Sequence, residues 1–365
     1  MKKIRTFIVD DSAVVREMVK KILDSDPDIE VIGMAPDPLF AIDKMMRDWP
    51  DVIVLDIEMP RMDGLTFLRK IMAERPTPVV ICSTLSQRGA AETFEALRVG
   101  AIACIGKPKD LRNHFVEDAG ADLVTQVKAA SQARFRPRRP DATPQPPLQP
   151  TSTPATHTKD IVDRPLVPPA PVRKSIGTGS RLVVAIGAST GGTEALESVL
   201  HRLPISVPGL VIVQHMPEHF TAAFAGRLND VCDIEVVEAV SGMDVVGGRA
   251  IIARGGKQLA VRRDGTRYYV DVLDGPYVNR HRPSVDFMFR SVALAAGANS
   301  FGVIMTGMGN DGAAGLLRIR ESGGRTVGQN EDSCVVYGMP KEAMRMGGVE
   351  REIDLEEIAG EISKL

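Results

Sequence analysis

Along residues 1–125, short apolar runs alternate with stretches whose apolar positions recur every three or four residues. The runs read IRTFIVD, IEVIGMA, DVIVLDI, PVVICST and AIACIG, and residues 14–23, 40–49, 65–73 and 91–99 between them carry the helical period. Continuous apolar runs suit strands buried on both faces, so five such β–α units predict a parallel, doubly wound sheet with helices on either side.

From residue 126 to 179 the pattern dissolves. This stretch holds eleven prolines, runs of Ser, Thr and Arg, and a net charge of +6. It cannot bury enough to offset its ordering entropy, which predicts a flexible Pro-rich linker and not a packed unit. From 180 to 365 the pattern resumes: RLVVAIGAS, GLVIVQH and FGVIMTG are each followed by a helical stretch. QLAVRRDGTRYYVDV places Asp264-Gly265 between two strand-like runs, a hairpin signal. A second α/β domain, doubly wound and mostly parallel with an antiparallel hairpin, is expected there.

The length of 365 residues fits such a division. With 45 basic against 47 acidic residues, the net charge of −2 gives no global pull toward nucleic acid or anionic membrane. Residues 180–365 net −4, which argues against a basic DNA-reading output domain. None of the four cysteines forms a CxxC pair, and no stretch approaches the roughly 20 apolar residues that span a bilayer. A cytoplasmic protein without membrane insertion is expected.

The ends of the first five strands concentrate chemistry: Asp10 and Asp11, then Asp56, then Ser83 and Thr84, then Lys107. In a parallel sheet these ends line the ligand crevice. Clustered carboxylates repel one another unless a cation sits among them, and oxygen ligands favour Mg²⁺. A lysine and a hydroxyl beside them would orient and neutralise a transferred phosphoryl group, with Asp56 as the aspartyl-phosphate nucleophile.

In the second domain, Gly187-Ala188-Ser189-Thr190-Gly191-Gly192 follows an apolar strand and opens a helix, fitting the GxSxG nucleophile elbow. A serine needs a neighbouring base, normally a histidine oriented by a carboxylate. Of six histidines, His215 ends the strand VIVQ and is favoured; His281, in the polar loop NRHRPS, is the alternative. Residues 215–219, HMPEH, also spell a zinc-protease string, but Pro217 suits a helix start and not the continuous helix that motif needs. Asp311 lies just past the strand FGVIMTG and is the carboxylate candidate; its other possible role is an N-cap, which Asn310 could fill equally well. The order Ser…His…Asp differs from that of the α/β-hydrolases, chymotrypsin and subtilisin.

The first domain resembles the receiver domain of two-component response regulators over nearly its whole length, through Asp10, Asp11, Asp56 within VLDIEMPRMDG, Ser83 and Lys107. The resemblance implies a flavodoxin-like fold and phosphorylation of Asp56 by a histidine kinase. Mg²⁺ would lie among Asp11, Asp56 and the backbone carbonyl of Glu58, with Asp10 in its outer shell. Ser83 would sense the phosphate and Lys107 would bridge to it. Cys104 stands where receivers usually place an aromatic switch residue.

The second domain resembles the catalytic domain of the chemotaxis protein-glutamate methylesterases, the CheB family, through IGASTGGTEAL, VQHMP, HRPSVD and MTGMGNDGA. That likeness implies Ser189 as nucleophile, His215 as base and Asp311 as its partner, with Thr190 and the backbone N–H of Met308 near the oxyanion. The implied substrates are glutamate γ-methyl esters, and by extension glutamine amides, on chemoreceptors. No metal is implied in this half. The receiver is expected to cover the crevice around Ser189 until it is phosphorylated.

Overall fold

The computed structural model describes residues 2–59, 62–83, 87–107, 115–133, 181–218 and 220–365. The N-terminal unit runs β1 (Ile4–Val9), α1 (Ala13–Asp24), β2 (Ile29–Ala35), α2 (Pro38–Met45), β3 (Val52–Leu55), α3 (Gly64–Glu74), β4 (Val79–Ser83), α4 (Gln87–Val99), β5 (Ala103–Gly106) and α5 (Phe115–Ser131). Its five strands form one sheet in the order β2-β1-β3-β4-β5, and every pairing is parallel. Strands β3 and β4 are buried along their whole length, as their unbroken apolar sequences require.

The tether was expected to start at residue 126, but α5 continues to Ser131. Leu123, Val127 and Ala130 recur at helical spacing and are buried on the face of the sheet that also packs Val19 and Leu23 of α1. That periodicity carries the first domain past the boundary at 125. Residues 134–179 of the linker, with His157, lie outside the described residues, as do His114 and Thr84.

The C-terminal unit comprises β6 (Val183–Ala188), α6 (Gly192–Leu200), β7 (Gly209–Gln214), α7 (Thr221–Val231), β8 (Glu235–Glu238), β9 (Met243–Asp244), β10 (Arg249–Ile252), β11 (Gln258–Asp264), β12 (Arg267–Leu273), α8 (Val285–Ala296), β13 (Ser300–Ile304), α9 (Ala313–Glu321), β14 (Arg325–Gln329), α10 (Met339–Arg345), β15 (Arg351–Ile353) and α11 (Leu355–Ser363). Seven strands make a parallel sheet in the order β15-β14-β13-β6-β7-β10-β8. The hairpin β11–β12 turns at Gly265-Thr266, one residue later than the Asp-Gly signal, and takes on β9 to form a separate antiparallel sheet.

The order of the larger sheet puts β13, β6 and β7 side by side at its centre. Their carboxyl ends lead directly into Thr306, Ser189 and His215, so the crevice gathers residues far apart in sequence. The two units share core. Phe94 of α4 stacks on Phe224 with ring centroids 5.7 Å apart and meets Phe220 edge-on at 6.3 Å. All three rings belong to one buried apolar cluster that runs from β1 and β3 through to α6 and α7.

Candidate active site

In the N-terminal unit, Asp10 and Asp56 are buried while Asp11 is exposed, and carboxylate oxygens from the three lie within 4.8 Å of one another. Lys107 Nζ donates to Asp56 Oδ2 at 2.7 Å and sits 2.9 Å from Asp10 Oδ2. The second contact is an ion pair whose angle leaves Asp10 Oδ2 without a hydrogen bond. Glu58 N–H reaches Asp56 Oδ1 at 3.4 Å. Burial pushes the Asp56 carboxyl up to about 6, against the pull of Lys107. Burial also opposes the charge on Lys107, but the carboxylates of Asp56 and Asp10 beside it outweigh that and raise its value.

Gly64 explains the glycine of VLDIEMPRMDG. A Cβ there would sit 2.1 Å from the Asp56 carbonyl oxygen, so only a bare backbone passes beneath the site. Ser83 ends β4 fully buried, with its Oγ unpartnered among the described residues. Cys104 is half-buried on β5 against the shared core. An all-oxygen donor set drawn from three clustered carboxylates fits a hard divalent cation such as Mg²⁺.

In the C-terminal unit, β6 ends at Ala188 and Ser189 begins a tight turn. Ser189 N–H donates to Thr306 O at 2.9 Å, and Gly192 N–H returns to Ser189 O at 2.7 Å. Gly191 takes a left-handed φ of 77° as the N-cap of α6. The turn is fixed to β7 as well: Gln214 Nε2 donates to Ser189 O at 2.9 Å, and His215 N–H to Ala188 O at 3.1 Å. On the β13 side, a Cβ on Gly307 would fall 2.7 Å from Ser189 Cβ, so the serine is flanked by bare backbone. The N–H of Met308 makes no hydrogen bond among the described residues. Thr190 turns its hydroxyl to the receiver, donating to Gln126 Oε1 at 3.1 Å, while its carbonyl accepts from Thr306 Oγ1.

His215 and Asp311 meet directly, Nε2 to Oδ2, at 2.8 Å. Asp311 is almost fully buried, and each of its oxygens is satisfied. Oδ1 accepts from Asn279 Nδ2 and Ser284 Oγ, both at 2.8 Å, and Oδ2 accepts from Val285 N–H at 2.7 Å as well as from His215. Ser284 and Val285 form the N-terminus of α8, whose dipole favours an anion there. Burial alone would raise the Asp311 carboxyl, but the bond and attraction of His215, with Asn279 behind them, hold it well below the usual carboxylate range. The capping role that Asp311 or Asn310 could have filled goes to neither, because α9 is capped by Gly312 without a side-chain bond. An ionised carboxylate only accepts, so His215 Nε2 carries the hydrogen and Nδ1 presents its lone pair. That Nδ1 is buried and without a partner among the described residues.

His281 stacks on His215, with ring centroids 3.7 Å apart and planes 11° from parallel. His219 lies outside the described residues. Residues 215–218 are not helical and the helix after β7 begins only at Thr221, which does not suit the continuous helix a zinc-protease string needs. Asn279 and Ser284, which hold Asp311, lie within the strings NRHRPS and HRPSVD, but nothing in those strings marks them as partners of Asp311.

Comparison with known proteins agrees with both halves. Residues 184–362 match the CheB methylesterase family and residues 6–115 the response regulator receiver domain. The chain is 55% identical over 357 residues to a protein-glutamate methylesterase/protein-glutamine glutaminase of Hahella chejuensis, covering 98% of this chain and 94% of that one. It is 54% identical over 355 residues to one of Xanthomonas campestris, covering 97% and 98%. The crystal structure of the Thermotoga maritima CheB methylesterase catalytic domain is 32% identical, covering 51% of this chain and 98% of that one, with a TM-score of 0.49. Fold and site together thus define a response regulator whose output is a serine-bearing α/β domain. The chain belongs to the CheB methylesterase family, with a receiver domain at its N-terminus. No helix among the described residues is long and apolar enough to cross a membrane.

Proposed function

We propose that the chain hydrolyses glutamate γ-methyl esters on chemoreceptors to glutamate and methanol, deamidates receptor glutamines at the same site, and is activated by phosphorylation of Asp56. The observation that carries the hydrolase reading is the 2.8 Å contact between His215 Nε2 and Asp311, with Nδ1 buried and without a partner among the described residues and the His215 N–H bonded to Ala188 O, next to Ser189. In this reading Ser189 Oγ attacks the ester carbonyl while His215 Nδ1 takes its proton. Asp311 fixes the tautomer and stabilises the imidazolium. The N–H of Met308 and the residue beside the nucleophile, Thr190, stabilise the oxyanion. His215 returns the proton to departing methoxide, or to the departing amide nitrogen, which leaves as ammonia, and water releases the acyl-enzyme by the same route.

In the receiver, Asp11, Asp56 and the Glu58 carbonyl would hold Mg²⁺, with Asp10 in the outer shell. The ion supplies charge neutralisation for phosphoryl transfer from a histidine kinase. Asp56 is the acceptor, Lys107 bridges to the phosphate, and the unpartnered Ser83 hydroxyl is available to it. Repression by covering is supported by the contacts on the catalytic turn: Gln126 accepts from Thr190, and the Ile102 carbonyl accepts from Gly191 N–H at 3.3 Å.

Methanol release from methylated receptor membranes tests this. A small-molecule phosphodonor with Mg²⁺ should raise the rate, Ser189→Ala should abolish it, and removal of residues 1–179 should raise it toward that of the phosphorylated chain. Unchanged methanol release by Ser189→Ala would remove Ser189 as the nucleophile, and no release by the wild type would reduce the protein to a receptor-binding scaffold. A truncated form no faster than the unphosphorylated chain would overturn inhibition by covering.

A further inference from the structure

The rim of this site holds a second imidazole that no step above uses. His281 is presented by a two-residue turn. Val278 N–H donates to His281 O at 3.1 Å, and His281 N–H to Val278 O at 2.9 Å, leaving Asn279 and Arg280 at the corner. Both take left-handed φ angles, 51° and 67°, which residues with a Cβ seldom adopt. Such strain persists only where the surroundings over-determine it. Here the Asn279 amide bridges two buried carboxylates, donating to Asp286 Oδ2 at 2.6 Å and to Asp311 Oδ1 at 2.8 Å. One short turn thereby grips the partner of His215 with Asn279 and lays an aromatic ring on His215 itself with His281.

His215 needs that ring. Its side chain is held by one hydrogen bond, at Nε2, and its Nδ1 has no partner among the described residues. A ring tied at one edge can pivot about that bond and carry Nδ1 off line. We propose that His281 is a positioning residue: its stacked ring confines His215 to the orientation in which Nε2 stays on Asp311 and Nδ1 is presented to Ser189. The proposal rests on the hydrolase reading above.

The chemistry of the second ring suits the task. Asp311 holds His215 and not His281, so His281 has no claim on the base's carboxylate. Burial and the neighbouring His215 push its own value down to about 3; Arg280 adds to this and Asp311 opposes it. A ring that stays neutral adds no repulsion when His215 accepts a proton.

The test compares His281→Ala and His281→Phe in the full chain, with phosphodonor and Mg²⁺, alone and combined with His215→Ala. Losing the stack should lower kcat about 10- to 100-fold, as small misplacement of a reacting group does, with KM within about threefold of wild type. Phe keeps an aromatic face and should restore most of that loss. In the His215→Ala background, His281→Ala should do nothing further, since a residue acting through the base has nothing left to position. Wild-type kcat in His281→Ala, equal losses in Ala and Phe, or a further loss in the His215→Ala background would each overturn the proposal. Full activity in His215→Ala would instead sink the hydrolase reading on which it rests.

Discussion

Asp56 sits at the end of an entirely buried strand, and that burial holds its carboxyl at about 6, above the ordinary carboxylate value. The sign of the consequence follows from linkage. The folded state holds this proton more tightly than the unfolded chain, so the group's contribution to stability is complete below about pH 4. It is lost as pH rises through about 6. Without Mg²⁺ or phosphodonor, the stability of Asp56→Asn minus that of wild type should therefore grow between pH 4 and pH 7.5. The expected size is on the order of 1–3 kcal/mol, the upper end being the full shift, net of Lys107, converted. Denaturant unfolding at several pH values reads this directly, and a pH-independent difference would contradict it. Asp311 runs the opposite way and destabilises on acidification, but it is common to both proteins and cancels. At this scale the sequence was legible wherever a reactive group ends a strand: Asp10, Asp56, Ser83, Lys107, Ser189 and His215 each do or nearly do. Asn279 and Ser284 were not, because what they do depends on contacts with Asp311 across about thirty residues of chain.

Among the elements, the apolar runs of β1, β3, β4, β6, β7 and β13 announced themselves because each is buried on both faces. The strands β8, β10, β14 and β15 are three to five residues long and mix charge with apolar positions, as in EVVE and REI. They exist through pairing with neighbours, which a local pattern does not record. The extra turns of α5 were readable from Val127 and Ala130, yet the adjoining Pro-rich composition obscured them. Element geometry also makes Gly307 indispensable. A Cβ there would stand 2.4 Å from Met339 Sδ and 2.7 Å from Ser189 Cβ. Gly307→Ala should destabilise the chain by about 1–3 kcal/mol, as overpacking does, and lower kcat by displacing Ser189. Thermal unfolding together with methanol release checks this, and a variant with both properties intact would mean that the β13 turn yields freely.

For the whole molecule, the join between the units matters most. Thr190 and Gln126 form a buried hydrogen bond between the turn that bears Ser189 and the last receiver helix. Such a bond contributes about 1 kcal/mol net. If the covered state is the repressed one, Gln126→Ala should raise basal methanol release by up to about fivefold without phosphodonor, and leave the phosphorylated rate nearly unchanged. An equal fall in both rates would show that Gln126 supports the catalytic turn and does not restrain it. Two α/β units were evident from pattern alone; their docking was not, since Phe94, Phe220 and Phe224 read separately as ordinary core residues.

Those three rings have a thermodynamic implication for any opening of the molecule. Parting the units would wet a face that is now as dry as the interior of either one, so release should carry a positive heat-capacity increment and a temperature optimum. The freed form would also display an aromatic patch eager for another surface. Switching on and becoming adhesive would then be one event, and a crowd of receptor helices is where such a surface would find cover.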